Sequence, residues 1–115
     1  MDNLFQRYPA IECCVQDINT ALELMIDTYK NGGKLLVCGN GWSAADSEHI
    51  VGELMKGFML RRNVDDDRIP EYLRKNLQGA LPAISLPSQS AILSDFINDV
   101  GPGNDVCTAF IWLWQ

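Results

Sequence analysis

The sequence predicts an α/β domain built on a doubly wound parallel sheet, with an amphipathic helix on its N-terminal side. Two short apolar runs, at 34–38 and 81–86, have the length and composition of buried parallel strands. Segments with the helical spacing of apolar residues precede, separate and follow these runs. The order helix–strand–helix–strand–helix is typical of a doubly wound sheet, and 115 residues suffice for one domain or part of one.

The first predicted helix covers residues 11–30. Its apolar residues follow one stripe with helical spacing: Ile11, Cys14, Val15, Ile18, Leu22, Met25, Ile26 and Tyr29. We expect the helix to end at Asn31-Gly32-Gly33, because glycine adopts the left-handed conformation that closes a helix at little steric cost. The chain then reverses into the first strand.

A strand, a glycine-rich turn and a capped helix are predicted over residues 34–58. The turn is Gly39-Asn40-Gly41-Trp42, Ser43 and Asp46 fit a capping box, and apolar residues continue with helical period at Ile50, Val51, Leu54, Met55 and Phe58. The free N–H groups and the positive dipole end at such a helix start attract anions such as phosphate. A strand-to-helix turn without a ligand would have a similar pattern, so both interpretations stay open.

The elements predicted after residue 60 carry few candidate functional residues. Residues 61–67 read as a solvated, charged connection and residues 70–77 as a short helix. The second strand follows at 81–86, and Ser88 is expected to cap a helix that runs through Ile97. The apolar end beyond Val100 could form a last strand. We therefore predict a single partial domain over 1–115, with a helix at 11–30, strand–loop–helix units at 34–100 and an atypical end at 101–115.

Composition excludes several classes of function. Nine basic against fifteen acidic residues give a net charge of −6, the wrong sign for direct nucleic-acid binding. No apolar run reaches the roughly 18 residues of a membrane span, and the start lacks a secretory signal, so we expect a cytoplasmic protein. The cysteines show no CxxC spacing, which disfavours a zinc ribbon and a disulfide framework; we expect reduced and mostly packed thiols at Cys13, Cys14, Cys38 and Cys107.

Two titratable residues lie four apart on the helix that follows the glycine turn. His49 and Glu53 are therefore expected on one helical face, about one turn beyond the turn, where they could share a ligand. His49 is the single histidine of the sequence, and such a histidine is often only a solvated residue. A histidine and a carboxylate are too few ligands for a closed metal site. Asn98-Asp99, Ser88 and Ser90 could contact a ligand or simply end and cap helices.

The stretch KLLVCGNGWSAADSEHIVGEL at 34–54, together with PAISL at 82–86 and Asn98-Asp99, closely resembles the phosphoheptose isomerases of the sugar isomerase (SIS) domain superfamily. The resemblance covers residues 11–100 and is carried by CGNGxSxxDxxHxxxE. It implies a homotetramer that converts sedoheptulose 7-phosphate to D-glycero-D-manno-heptose 7-phosphate for cell-envelope glycans. It also implies that Glu53 is the acid/base catalyst or a zinc ligand and that His49 binds the zinc. Asn40, Ser43 and Asp99 match substrate-contacting positions, and we assign Gly41 of the loop to the same group.

The sequence differs from the family pattern in three respects. Trp42 replaces a glycine, which would cost about 1–2 kcal/mol if the position required a left-handed backbone. The family's serine- and threonine-rich phosphate loop and its second histidine have no counterpart, and the ending from Gly101 departs from the helix expected there. These departures predict a truncated domain with part of the site. They also keep open a non-catalytic SIS module that binds a phosphosugar or a protein partner.

Overall fold

The computed structural model describes residues 2–57 and 59–114, and the chain divides into two compact units, residues 1–33 and 34–115. Phe58, which the periodicity assigned to the helix after the glycine turn, lies outside the described residues.

The elements of the first unit are all helices. Helix α1 spans Asp2–Arg7, a 3-10 helix spans Pro9–Cys14, and helix α2 spans Val15–Lys30. The predicted helix is confirmed over most of its length, but its first turns are 3-10 because the proline at the start of this segment begins a separate, tighter helix. The side chains of the predicted apolar stripe are half-buried or exposed, and in the described chain no residue of α2 is buried. After α2, Gly32 takes a left-handed conformation with φ +72°, as expected for a helix end.

The second unit contains a two-stranded parallel sheet. Strand β1 spans Leu35–Val37 and strand β2 spans Ala83–Ser85. Leu36 pairs with Ile84 at the centre of the register, so the parallel arrangement and the α/β class are confirmed. The expectation that the first strand is buried is wrong: its residues are half-buried, because β1 pairs with one strand only in the described chain. The doubly wound sheet stays a prediction.

Four helices accompany this sheet. They are α3 at Trp42–Met55, α4 at Glu71–Arg74, α5 at Ser90–Asp99 and α6 at Asp105–Trp114. Helix α3 packs against both strands, and α5 packs against α6. The buried residues of the described chain are few and small: Ser47, Ala83, Ser85, Leu86 and Ala109. Most of the long apolar side chains are thus at least partly exposed.

The prediction of a last strand beyond Val100 is wrong, because this segment forms helix α6. Its acidic residue Asp105 lies in the first turn, where it interacts favourably with the helix dipole. Ala109 is buried, and the rings of Phe110 and Trp114, four residues apart, lie 5.0 Å from each other. Apolar residues at helical spacing therefore decide the structure of this segment. Helix α6 also corrects the expectation that the chain from Gly101 onward departs from a helix.

Two predicted caps are also wrong. Helix α3 begins one residue before Ser43, its N-cap is Gly41, and no side chain caps it. Helix α5 begins at Ser90 with Gln89 at its N-cap, again without a side-chain cap. The hydroxyl of Ser88 donates instead to Glu48 Oε1 of α3 at 2.9 Å. In both places, backbone geometry or a tertiary contact replaces the local side-chain bond.

The charged connection at 61–67 is more ordered than a solvated loop. Arg62 is half-buried, and its guanidinium donates to Gly79 O at 2.6 Å and to Leu54 O at 2.7 Å. The Gly79 amide donates back to Arg62 O at 2.7 Å. One arginine thus links the last turn of α3 to the segment that leads into β2.

Candidate functional site

The loop between β1 and α3 turns at a single left-handed residue. Gly41 has φ +59° and ψ −125°, a combination that side-chain-bearing residues rarely adopt. The amides of Ser43 and Ala44 donate to the carbonyls of Asn40 and Gly41, each at 3.1 Å. Among the described residues, the amides of Gly41 and Trp42 have no backbone acceptor. Like the amides of Gly39 and Asn40 in the same loop, these two N–H groups are available to an anion at the start of α3.

Trp42 carries no backbone strain. It is the first residue of α3, and no described residue other than glycine has a positive φ. Trp42 is also 90% exposed, so its ring projects outward at the start of the helix. The cost expected for a left-handed tryptophan does not arise, because Gly41 takes the left-handed position.

His49 and Glu53 do come together on one face of α3. His49 Nε2 lies 3.6 Å from Glu53 Oε1, and the two side chains are 78% and 54% exposed. Successive helical residues are about 100° apart, so His49 and Glu53 lie about 200° and about 240° around the axis from Ser47. Ser47 is buried and contacts β2, so the pair faces away from the sheet. Trp42 shares this outer face, because it precedes His49 by two turns.

The spacing of this pair can be compared with that of two metal ligands. Imidazole nitrogen and carboxylate oxygen, each about 2.1 Å from a tetrahedral zinc ion, lie about 3.4 Å apart. The observed 3.6 Å between His49 and Glu53 is close to that separation. The donor types and their spacing therefore fit two corners of a zinc site. Within residues 2–57 and 59–114, no group of three or more histidine, cysteine or acidic side chains could hold a metal.

A buried pair of hydroxyls holds the inner face of α3 against the sheet. Ser47 Oγ lies 2.7 Å from Ser85 Oγ of β2, and Ser47 also donates to Ala44 O at 2.7 Å. With the bond from Ser88 to Glu48, these contacts fix α3 relative to β2 and to the loop that follows β2. The position of the loop and of the His49–Glu53 pair thus depends on side chains that do not belong to the predicted site.

Helix α6 covers the crevice at the carboxyl ends of the strands, where ligands of open α/β sheets usually bind. Cys38 directly follows β1 and Leu86 directly follows β2, and both line a cavity of about 340 Å³. The other walls are Val106, Cys107, Phe110 and Ile111. An apolar lining suits neither a phosphate nor a sugar.

A second cavity, of about 380 Å³, lies along β2 and is lined by Glu48, Val51, Ala83, Ile84, Ser85, Ser88 and Gln89.

The predicted site residues occupy two exposed regions of the second unit and the end of α5. Asn40, Gly41 and Ser43 lie at the start of α3, and His49 and Glu53 lie one to three turns further along the same helix. Asp99 is the last residue of α5 and is exposed. In the described part of the chain, no hydrogen bond joins these three locations to one another. Their roles toward a ligand stay predictions.

The sequence reasoning missed the residues that support this region. Ser85 is a polar residue in an otherwise apolar strand, whereas Ser47 and Glu48 lie in a polar stretch of α3 directly before His49. A serine inside the apolar strand at 81–86 was the available signal, because a buried hydroxyl needs a partner. Its partner, 38 residues away, is not readable from spacing.

A comparison with protein-family models matches the SIS domain over residues 9–73, more than half of the chain. The chain belongs to the SIS domain family. The matched region includes β1, the glycine loop and the whole of α3, and therefore His49 and Glu53. Asp99 lies beyond it.

Curated SIS relatives share the same region. The chain is 42% identical over 84 residues to a phosphoheptose isomerase of Citrifermentans bemidjiense, which covers 73% of this chain and 35% of that protein. A phosphoheptose isomerase of Clostridium acetobutylicum is 38% identical over 85 residues, covering 74% and 35%. One of Roseiflexus sp. (strain RS-1) is 38% identical over 79 residues, covering 69% and 32%. The chain spans about a third of the length of the curated relatives it matches.

The helices of the described chain were also compared with the requirements of a membrane span. None of them is both long enough and apolar enough to cross a bilayer.

Proposed function

We propose that this chain forms part of a cytoplasmic phosphosugar isomerase that converts sedoheptulose 7-phosphate to D-glycero-D-manno-heptose 7-phosphate for heptose synthesis in cell-envelope glycans. The observation that carries the proposal is the pairing of His49 Nε2 with Glu53 Oε1 at 3.6 Å on the helix that begins at the glycine loop. The phosphoheptose isomerases that this chain resembles support the choice of substrate.

The reaction requires a proton to move between adjacent carbons of the sugar. Glu53 is the group for this step, because its carboxylate can accept a proton from one carbon and return it to the next. Its exposed oxygen is accessible to a substrate on the outer face of α3. His49, one turn earlier, can hold Glu53 in orientation or donate to an oxygen of the sugar. The negative charge that develops on the ene-diolate is stabilised by such donors.

A zinc ion bound at this position would polarise the sugar oxygens and stabilise the developing charge. His49 and Glu53 supply two ligands of suitable type and spacing for it. Two further positions must be filled by water, by the substrate, by residues of a longer chain or by another subunit. We propose a homotetramer in which a neighbouring subunit completes the site, as the family resemblance implies.

The phosphate of the substrate is assigned to the start of α3. The free amides of Gly41 and Trp42 and the positive end of the helix dipole favour an anion there. Asn40 and Ser43 are exposed beside these amides and can donate to the phosphate or to sugar hydroxyls. Asp99 is proposed as an acceptor for a sugar hydroxyl.

Turnover of sedoheptulose 7-phosphate by the purified chain tests the proposal, with and without added Zn²⁺. Glu53→Gln should abolish turnover, because the amide cannot carry the proton, while substrate binding persists. Glu23→Gln, an exposed site on α2, is the matched control and should leave turnover unchanged. If the wild-type chain shows no turnover in either condition, this chain is not an isomerase by itself.

A second candidate function is a non-catalytic SIS module that binds a phosphosugar or a protein. The specific observation in its favour is Trp42, which is 90% exposed on the same face as His49 and Glu53. Exposed tryptophans are frequent anchors of protein interfaces. Binding of a partner that is lost in Trp42→Ala but kept in Glu53→Gln would favour the module over the enzyme.

A further inference from the structure

The four cysteines were expected to be reduced and mostly packed; they are free, but the expected packing is wrong, because all four residues are exposed. Two of them are neighbours in the first unit, outside the candidate site. Cys13 Sγ lies 3.7 Å from Cys14 Sγ, at the junction of the 3-10 helix and α2. The pair is thus accessible and preformed.

We propose that Cys13 and Cys14 form a two-thiolate site for a thiophilic divalent cation of the Zn²⁺ and Cd²⁺ class. Two sulfurs each about 2.3 Å from a tetrahedral zinc ion lie about 3.8 Å apart, which follows from the usual Zn–S distance. The separation in this chain is 3.7 Å. A cation can therefore bind both sulfurs with little rearrangement of the side chains.

Neither thiol is committed to a strong competing contact. Cys13 contacts Ala10 O at 3.7 Å, a long and weak sulfur hydrogen bond. Cys14 is the N-cap residue of α2 but makes no side-chain capping bond. The short helix that carries Cys13 joins α2 directly, so the backbone between the two residues is held by helices on both sides.

The binding step balances as a proton exchange. One divalent cation replaces the protons of two thiols and forms two metal–sulfur bonds, with release of two protons and no change of oxidation state. The described residues provide no group of three or more metal ligands, so solvent fills the other two corners of the tetrahedron. The site is consequently open and able to exchange its ion or to accept a ligand from another molecule.

Titration of the fully reduced chain with Cd²⁺, monitored by the sulfur-to-metal charge-transfer absorption, tests this proposal. We expect saturation at one ion per chain. Cys13→Ser and Cys14→Ser should each remove the absorption, because a single thiolate cannot chelate. Cys38→Ser with Cys107→Ser is the matched control and should keep the wild-type signal. His49→Ala with Glu53→Gln should keep it as well, which separates this site from the proposed isomerase site.

Three results would overturn the proposal. They are absorption that persists when both Cys13 and Cys14 are replaced, absorption lost in the Cys38 and Cys107 double variant, and saturation at half an ion per chain, which indicates a cation shared between two molecules. Far-ultraviolet circular dichroism of each variant verifies that the helices are retained. All four cysteines are exposed, so the fold is expected to tolerate serine at these positions.

Discussion

Ser47 of α3 and Ser85 of β2 share a buried hydrogen bond of 2.7 Å, and the two hydroxyls have different roles in it. Ser47 donates its one proton to Ala44 O, also at 2.7 Å. Ser85 must therefore be the donor to Ser47. This asymmetry makes the bond between helix and strand testable.

Replacing Ser47 with alanine should cost more stability than replacing Ser85. Ser47→Ala leaves the buried hydroxyl of Ser85 without an acceptor, at a cost of about 1–3 kcal/mol in the free energy of unfolding. Ser85→Ala leaves Ser47 bonded to Ala44 O, and we expect a cost of about 1 kcal/mol. Urea denaturation of both single variants and the double variant measures the coupling.

The control for this cycle is Ser94→Ala on the exposed face of α5, expected within about 0.5 kcal/mol of wild type. Equal costs for Ser47→Ala and Ser85→Ala would show that the donor assignment is wrong. A double variant that costs the sum of the two singles would show that the hydroxyls are not coupled.

Gly41→Ala should destabilise the loop that begins the candidate site. A side chain at φ +59° and ψ −125° is strained, and we expect a loss of about 1–3 kcal/mol. Gly52→Ala, inside α3, is the matched control: a Cβ there meets no atom within 4 Å, so alanine should stabilise the helix by about 0.5–1 kcal/mol. Thermal unfolding measures both. The strain argument fails if the two variants shift stability in the same direction.

Arg62→Met should weaken the link between the end of α3 and the segment before β2. The change removes charge-assisted bonds to the carbonyls of Leu54 and Gly79, for which we expect a loss of about 2 kcal/mol. Arg7→Met, at an exposed cation of α1, should change stability by less than about 0.5 kcal/mol. Equal losses in the two variants, measured by urea denaturation, would contradict this role for Arg62.

These positions show what the sequence could and could not predict. The strands within 34–38 and 81–86, the helix after the glycine turn and the helix end near Gly32 all followed from short-range patterns, and the structure confirms them. The proximity of His49 and Glu53 followed from helical spacing alone. Local periodicity is sufficient for such features because the interacting residues belong to one element.

Other features depend on contacts between distant segments. The hydroxyl pair of Ser47 and Ser85 and the bonds of Arg62 join residues that no local pattern connects. Beyond Val100, the dense apolar composition predicted a strand, whereas burial of Ala109 and the Phe110–Trp114 contact favour a helix. Strand and helix cannot be separated by apolar content in so short a run. The predicted serine caps are absent because α3 begins before Ser43, with Gly41 as its N-cap, and because the Ser88 hydroxyl donates to Glu48.

The ion pair of Asp66 with Arg68 predicts a pH dependence at the acidic end. Hydrogen bonds from the Arg68 guanidinium and backbone hold the pKa of Asp66 below its ordinary value of 3.8. A lowered pKa in the folded state means that this pair stabilises the fold above the unfolded-state pKa. The contribution is lost as the pH falls through the folded-state pKa.

Carbon-13 titration of the Asp66 carboxyl group measures this effect. Arg68→Gln should raise the Asp66 pKa toward 3.8, and Arg61→Gln should leave it in place, because Arg61 makes no contribution to the shift. An Asp66 pKa that is unaltered in Arg68→Gln would contradict the assignment. Added salt should reduce the difference between the variants, since the pair is at the surface.

The central claim, that the loop at 39–43 and the outer face of α3 bind one phosphosugar, is tested most directly by titrating the nitrogen-15-labelled chain with sedoheptulose 7-phosphate. We predict saturable shifts of the Gly41 and Trp42 amides together with the His49 ring, whereas inorganic phosphate should move only the loop amides. Shifts confined to the charged segment at 61–75, or a loop and a His49 ring that do not respond, would contradict the claim.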